Sequence, residues 1–178
     1  LHKILSLLIY YGFALTTRRN LLFLLKKNSR QYKIDTSKRM ELIMTLQKVL
    51  SRVRQAVDDY HMIEEGDRIA VGISGGKDSL TLLLALYELS KFYPKHFTLI
   101  AVTVDLGFLN LNLDEIRTLC ADRNIPYTIV DTSIAQIVFE DRKEDNPCSL
   151  CAKMRKGALN DAIKAAGCNK IAYAHHED

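Results

Sequence analysis

No apolar run in this sequence is long enough to cross a bilayer. The longest, residues 4–15, has Ser6 and Gly12 inside it, and a spanning helix needs about 20 apolar residues. Lys3 precedes it, as a lysine precedes the apolar part of a signal peptide, but no small-x-small cleavage site follows. Membrane anchorage and export are therefore not expected, and the reading is cytoplasmic. Cysteine is scarce. Cys120, Cys148, Cys151 and Cys168 do not form the framework of a secreted disulfide scaffold. Internal repeats and low-complexity tracts are absent. Basic charge is also missing where nucleic-acid capture would want it. The net charge is +4, yet residues 1–40 carry nine Lys/Arg against one acid, while residues 41–178 carry sixteen against twenty. The larger part is mildly acidic, so RNA has to find a local basic patch.

What is present suits one domain of ordinary size. Its first residue is Leu1, and its last four, His175 to Asp178, come directly after an apolar strand, so it reads as a fragment. Residues 1–43 form a basic, partly apolar extension: a non-native upstream segment or a loosely attached amphipathic arm, with Met40 or Met44 as the start. Residues 44–178 form the domain, truncated at its C-terminus.

The organising stretch is 68–80, RIAVGISGGKDSL. Ile69, Val71 and Ile73 alternate with Ala70 and Gly72, as in a buried parallel strand. Ser74, Gly75, Gly76, Lys77, Asp78 and Ser79 form a tight polar turn, and a leucine-rich helix follows over 80–92. Strand, glycine turn and helix make a phosphate cradle: the glycines let backbone approach an anion, and the first helical N–H groups point at it. The spacing excludes a Walker A loop, because Gly72 is one residue too near Gly76 and Asp78 follows Lys77.

The remainder alternates. An amphipathic helix over 44–63 carries Leu46, Val49, Leu50, Val53, Val57 and Tyr60 at helical spacing. Strands are expected at 97–105, 127–131 and 170–174, and helices at 112–124, 133–139 and 150–166. This order predicts an α/β fold, a doubly wound parallel sheet with helices on both faces and ligands at the strands' carboxyl ends. Three features fall there: the glycine turn, Asp105 with Leu106 and Gly107, and His175 with His176. Lys77 suits a pyrophosphate as a point charge. Ser74 and Ser79 offer hydroxyl donors. Asp78 suits Mg²⁺ or a backbone amide. Asp105 suits a nucleotide or a strand-end cap. One of the two histidines suits a phosphate.

Residues 147–157, PCSLCAKMRKG, are the second strong feature. A C-x-x-C pair at a helix start, near Lys153, Arg155 and Lys156, favours thiolate. Thiolates bind zinc or iron–sulfur clusters, and the basic run can meet RNA phosphates.

The loop at 74–79 resembles the SGGxDS loop of the PP-loop ATP pyrophosphatase superfamily, whose adenine nucleotide alpha hydrolase-like fold cleaves ATP between its α and β phosphates. Together with Cys148, Cys151, the Lys/Arg-rich helix, Gly157 and the histidine pair, residues 46–178 resemble the TtcA-type tRNA 2-thiocytidine synthetases. That resemblance implies an ATP-dependent tRNA sulfurtransferase that adenylates the 2-oxo group of cytidine 32 and replaces oxygen with sulfur. It implies ATP, Mg²⁺ and a 4Fe–4S iron–sulfur cluster held by three cysteines, two of them Cys148 and Cys151. The third ligand would lie beyond Asp178. It gives catalytic roles to Asp78, Cys148 and Cys151, nucleotide contacts to Ser74–Ser79, Asp105 and His175, and RNA contacts to Lys153, Arg155 and Lys156. Implied partners are tRNA, a sulfur donor such as a cysteine desulfurase, and a second copy in a homodimer. The family usually has Gly where Ala174 stands. The alternatives are a tRNA lysidine synthetase, a zinc-type tRNA 2-thiouridylase and a non-catalytic ATP-sensing module.

Overall fold

The strand β1, Asp67–Gly72, is buried on both faces over Ile69, Ala70 and Val71, so it has to lie inside a sheet covered on two sides. The computed structural model describes residues 36–107, 113–141 and 147–174, with side chains from residue 47 onward apart from Asp141. In chain order the elements are α1 (Thr36–Asp59), β1, α2 (Lys77–Ser90), β2 (Phe97–Asp105), α3 (Asp114–Ala121), β3 (Tyr127–Asp131), a short α4 (Ile134–Gln136) running into a π-helical turn (Ile137–Asp141), α5 (Pro147–Ala165) and β4 (Lys170–Ala172). These strands are all parallel, in the order β3-β2-β1-β4.

Side chains alternate across the sheet. Ile69 and Val71 of β1, with Leu99 and Ala101 of β2, pack under Val53 and Val57 of α1, Leu83 and Leu86 of α2, and Ile116 and Leu119 of α3. Ala70, Ile100, Val102 and Val104 face the other way, against Ile134, Val138, Leu159, Ile163 and Ile171. Helices therefore cover both faces, and the doubly wound reading holds. The chain moves outward from β1 to β3, then returns past β1 to β4. The topological switch point, where ligands bind in such sheets, lies between β1 and β4.

Boundaries differ from the expectations in places. The first helix starts at Thr36, across the expected 43/44 division, and ends at Asp59. It stops because His61 takes a left-handed conformation (φ 47°) and Gly66 (φ 79°) turns the chain into β1. The last helix starts at Pro147 rather than Leu150. Proline suits a first helical position, where its missing N–H costs nothing.

The amino ends of the strands are clasped. The Asp67 carboxylate is 3% exposed. It accepts hydrogen bonds from the Glu64 N–H (2.7 Å), the Asn169 amide (2.7 Å) and the Lys170 ammonium (2.5 Å). Asn169 in turn accepts from the Arg68 N–H, and Lys170 also donates to the Met62 carbonyl. Burial alone would raise the Asp67 pKa. The donors outweigh it and hold the carboxyl below its ordinary value.

Candidate nucleotide and thiol site

Gly75 sits at φ +78°, where a side chain would be strained. Gly76 is extended (φ −75°, ψ 159°) and stands at the N-cap of α2, with no side chain capping the helix. Lys77, Asp78 and Ser79 thus form the first helical turn rather than the end of a loop. Their N–H groups lie where a helix has no internal acceptor and attract an anion. Lys77 is exposed beside them, and Asp78 is half-buried.

The serines divide the work differently from the expectation that both donate outward. Ser79 is 4% exposed. Its hydroxyl donates to the Gly76 carbonyl (2.9 Å) and accepts from the Ser74 N–H (3.3 Å). Its single hydrogen is committed to bracing the turn. Ser74 is exposed, its hydroxyl 3.3 Å from that of Ser79. Below the turn runs a buried hydroxyl relay that sequence reasoning missed. Tyr127 donates to Thr103 (2.9 Å), and Thr103 donates to the carbonyl of Ile73 (3.2 Å), the residue before the turn.

Beside the turn, at the switch point, is a cleft of about 320 Å³ counting its open mouth. Ser74, Ser79, Val102, Arg155, Leu159 and Tyr173 are among the residues lining it. The Tyr173 ring crosses Gly72 so closely that a Cβ there would stand 3.0 Å from it. A glycine inside a strand pattern signals such an approach, and that signal could have found the wall. Burial pushes the Tyr173 hydroxyl up, with the Arg155 charge acting the other way.

Cys148 is exposed and Cys151 half-buried in the first turns of α5. Arg155 follows Cys151 by four residues and Leu159 follows by eight, so these share one helix face. Lys153 and Lys156 are exposed on a different face. The basic run is thereby split: Arg155 lines the cleft, and the two lysines do not. Cys120 is buried under the opposite face of the sheet, its thiol pushed up to about 11 by burial. Cys168 comes after the far end of α5, whose last residue, Ala165, is about 21 Å along the helix axis from Cys151 at 1.5 Å per residue. Neither joins the C-x-x-C pair, and no group of three metal-ligating side chains forms among the described residues. Asp105 caps its strand end, one carboxylate oxygen accepting from the Gly107 N–H (2.9 Å). His175 and His176 lie outside the described residues. No helix among the described residues is long and apolar enough to cross a membrane.

A parallel α/β sheet with a glycine turn and an uncapped helix start at its switch point is a nucleotide-binding architecture. The PP-loop domain model matches residues 45–178, and the chain belongs to that family. It is 41% identical over 144 residues to the tRNA-cytidine(32) 2-sulfurtransferase of Pelobacter propionicus, covering 80% of this chain and 54% of that one. It is 39% identical over 132 residues to the enzyme of the same name from Geobacter metallireducens, covering 74% and 51%. Among solved structures it is similar to the U34-tRNA thiolase NcsA from Methanococcus maripaludis with its 4Fe–4S cluster. That match has TM-score 0.55 and 30% identity, and covers 63% of this chain and 39% of that one. The chain spans about half the length of the curated relatives it matches.

Proposed function

We propose that the chain is the nucleotide-binding part of an ATP-dependent tRNA sulfurtransferase acting on cytidine 32. The observation that carries this is that Ser74 and Ser79 of the glycine turn share one cleft with Arg155 and Leu159, which follow Cys151 by four and eight residues on the same helix face. The relatives named for this activity supply the substrate.

In this reading the N–H groups of Gly76 to Ser79 and the Lys77 ammonium bind the phosphates of ATP with Mg²⁺, and Asp78 is the carboxylate that would meet the metal. The 2-oxo oxygen of cytosine attacks the α-phosphorus, the α–β bond breaks and pyrophosphate leaves. Sulfide-level sulfur, which a persulfide donor delivers only with two electrons from an external thiol reductant, then adds at C2, and the C2–O bond breaks as the oxygen leaves with AMP. Asp105 and His175 belong to the nucleotide side, and Lys153 and Lys156 to the RNA side. Cys148 and Cys151 fit an iron–sulfur cluster as two of its ligands, being accessible soft donors three residues apart at a helix start. Such a cluster would be held here by the Cys148 and Cys151 thiolates and would supply a soft metal site suited to sulfur chemistry. The likeness to a cluster-bearing thiolase supports this over zinc. A cysteine desulfurase as sulfur donor, a homodimer and a cytoplasmic setting complete the proposal, and the basic extension over residues 1–43 precedes the catalytic unit, its last eight residues opening α1.

The test is incubation with α-labelled ATP, Mg²⁺ and tRNA, followed by nucleoside mass spectrometry of tRNA from a deletion strain. AMP, pyrophosphate and loss of 2-thiocytidine are expected. Release of ADP would overturn the adenylation. Loss of 2-thiouridine alone would move the substrate to the nucleoside named for the archaeal thiolase.

A further inference from the structure

We infer that Arg155 is a nucleotide-contacting residue, gripping the phosphate chain of ATP from the thiol side of the cleft, and not part of an RNA-binding patch. The inference rests on the proposed ATP site and adds a residue to it. Arg155 lines the same cleft as Ser74 and Ser79, whereas no Asp or Glu among the described residues lines it. A guanidinium in a cleft without a carboxylate is matched to an incoming anion, and its fork suits phosphate oxygens. Its helix position makes the same point. Arg155 follows Cys148 by seven residues and Cys151 by four, one stripe of α5 that Leu159 continues into the core. Lys153 and Lys156 point away from that stripe and stay exposed, while Arg155 is half-buried. The Tyr173 hydroxyl feels the Arg155 charge from the β4 side. Arg155 therefore stands between the thiol pair and the phosphate turn, where one side chain can hold the nucleotide in reach of both.

The experiment compares Arg155→Ala, Arg155→Lys and the double variant Lys153→Glu/Lys156→Glu in the full chain. ATP affinity is measured by calorimetry, and tRNA affinity across a salt series. Melting curves confirm that each variant is folded. Arg155→Ala should weaken ATP binding about tenfold or more, with the salt slope of tRNA binding unchanged. Arg155→Lys should recover part of the loss, because it restores the charge without the fork. The double lysine variant should keep ATP affinity and lower the salt slope by about one for each phosphate left unneutralised. Unchanged ATP affinity in Arg155→Ala, with a lowered tRNA salt slope, would return Arg155 to the RNA patch and overturn the inference alone. An unsubstituted chain that binds no ATP would overturn the proposed ATP site, and this inference with it.

Discussion

The two rims of the sheet are built from the ends of the same strands and differ in what their polar groups face. At the amino rim the Asp67 carboxylate is met by an ammonium, an amide and a backbone N–H. Lys95 pairs with Glu64, and the His96 N–H donates to Glu65. At the carboxyl rim the first turn of α2 is uncapped, Lys77 is exposed, and Arg155 lines a cleft without carboxylates among the described residues. Polar groups satisfied inside the protein hold the fold. Polar groups aimed outward along the glycine turn are, under the proposed function, those that meet the nucleotide. Asp105, which caps its own strand end at the carboxyl rim, is the exception.

Breaking the amino rim should affect stability and leave nucleotide binding alone. Asp67→Ala takes the counter-charge from the Lys170 ammonium, whose side chain is 14% exposed, leaving it the Met62 carbonyl, and should cost about 3 kcal/mol in denaturant unfolding. The folded fraction should keep its ATP affinity. The opposite change is at Lys77. Lys77→Ala should weaken ATP binding about tenfold or more, and a melting temperature within a few degrees of the parent would show that the fold does not depend on it. A large drop in melting temperature would blur the two rims into one structural network.

Between these extremes lies the relay beneath the turn. Thr103→Val removes the donor to the Ile73 carbonyl and the acceptor for Tyr127, and should cost about 1 kcal/mol. Thr103→Ser should recover most of it. Acid titration sharpens the amino rim further. The Asp67 carboxyl is held below its ordinary value of 3.8 in the folded chain. Its stabilisation is therefore complete above that value and is lost as pH falls through the folded-state value. The melting temperature should drop on acidification below about pH 4, and Asp67→Asn should flatten the drop. The smallest perturbation is a labelling order. Iodoacetamide on the metal-free folded chain should modify exposed Cys148 well before Cys120, whose thiol burial pushes up to about 11. Mass spectrometry of peptides reads that order, and equal rates would mean that the core opens around α3.

How much of this was legible in the sequence differs between the same two regions. The strands at 97–105 and 127–131 were readable to the residue, because β-branched runs bounded by Pro126 or charged residues leave few alternatives. The glycine turn was readable because φ > 0 at Gly75 restricts residue choice. The division of labour within the turn was not, since Ser74 and Ser79 are the same residue type and only packing assigns one of them inward. Arg155 was read with Lys153 and Lys156 as one basic run. Counting in sequence groups them, and counting around the helix separates them. The clasp was hidden for a different reason: Asp67 and Lys170 look like ordinary surface charges until the sheet brings them together.

That long-range pairing has a consequence for how the chain is made. β1 can pair with β2 soon after both are synthesised. Its other edge pairs Ile69 with Lys170 and Val71 with Ala172, and those residues arrive several seconds later at about 5–20 residues per second. Through that interval a strand that is buried in the finished sheet presents an open edge, the kind of surface that recruits other nascent chains. Asp67 stands at its head, and charge on an open edge is one of the features that discourage strand addition; in the finished sheet Lys170 pairs with it.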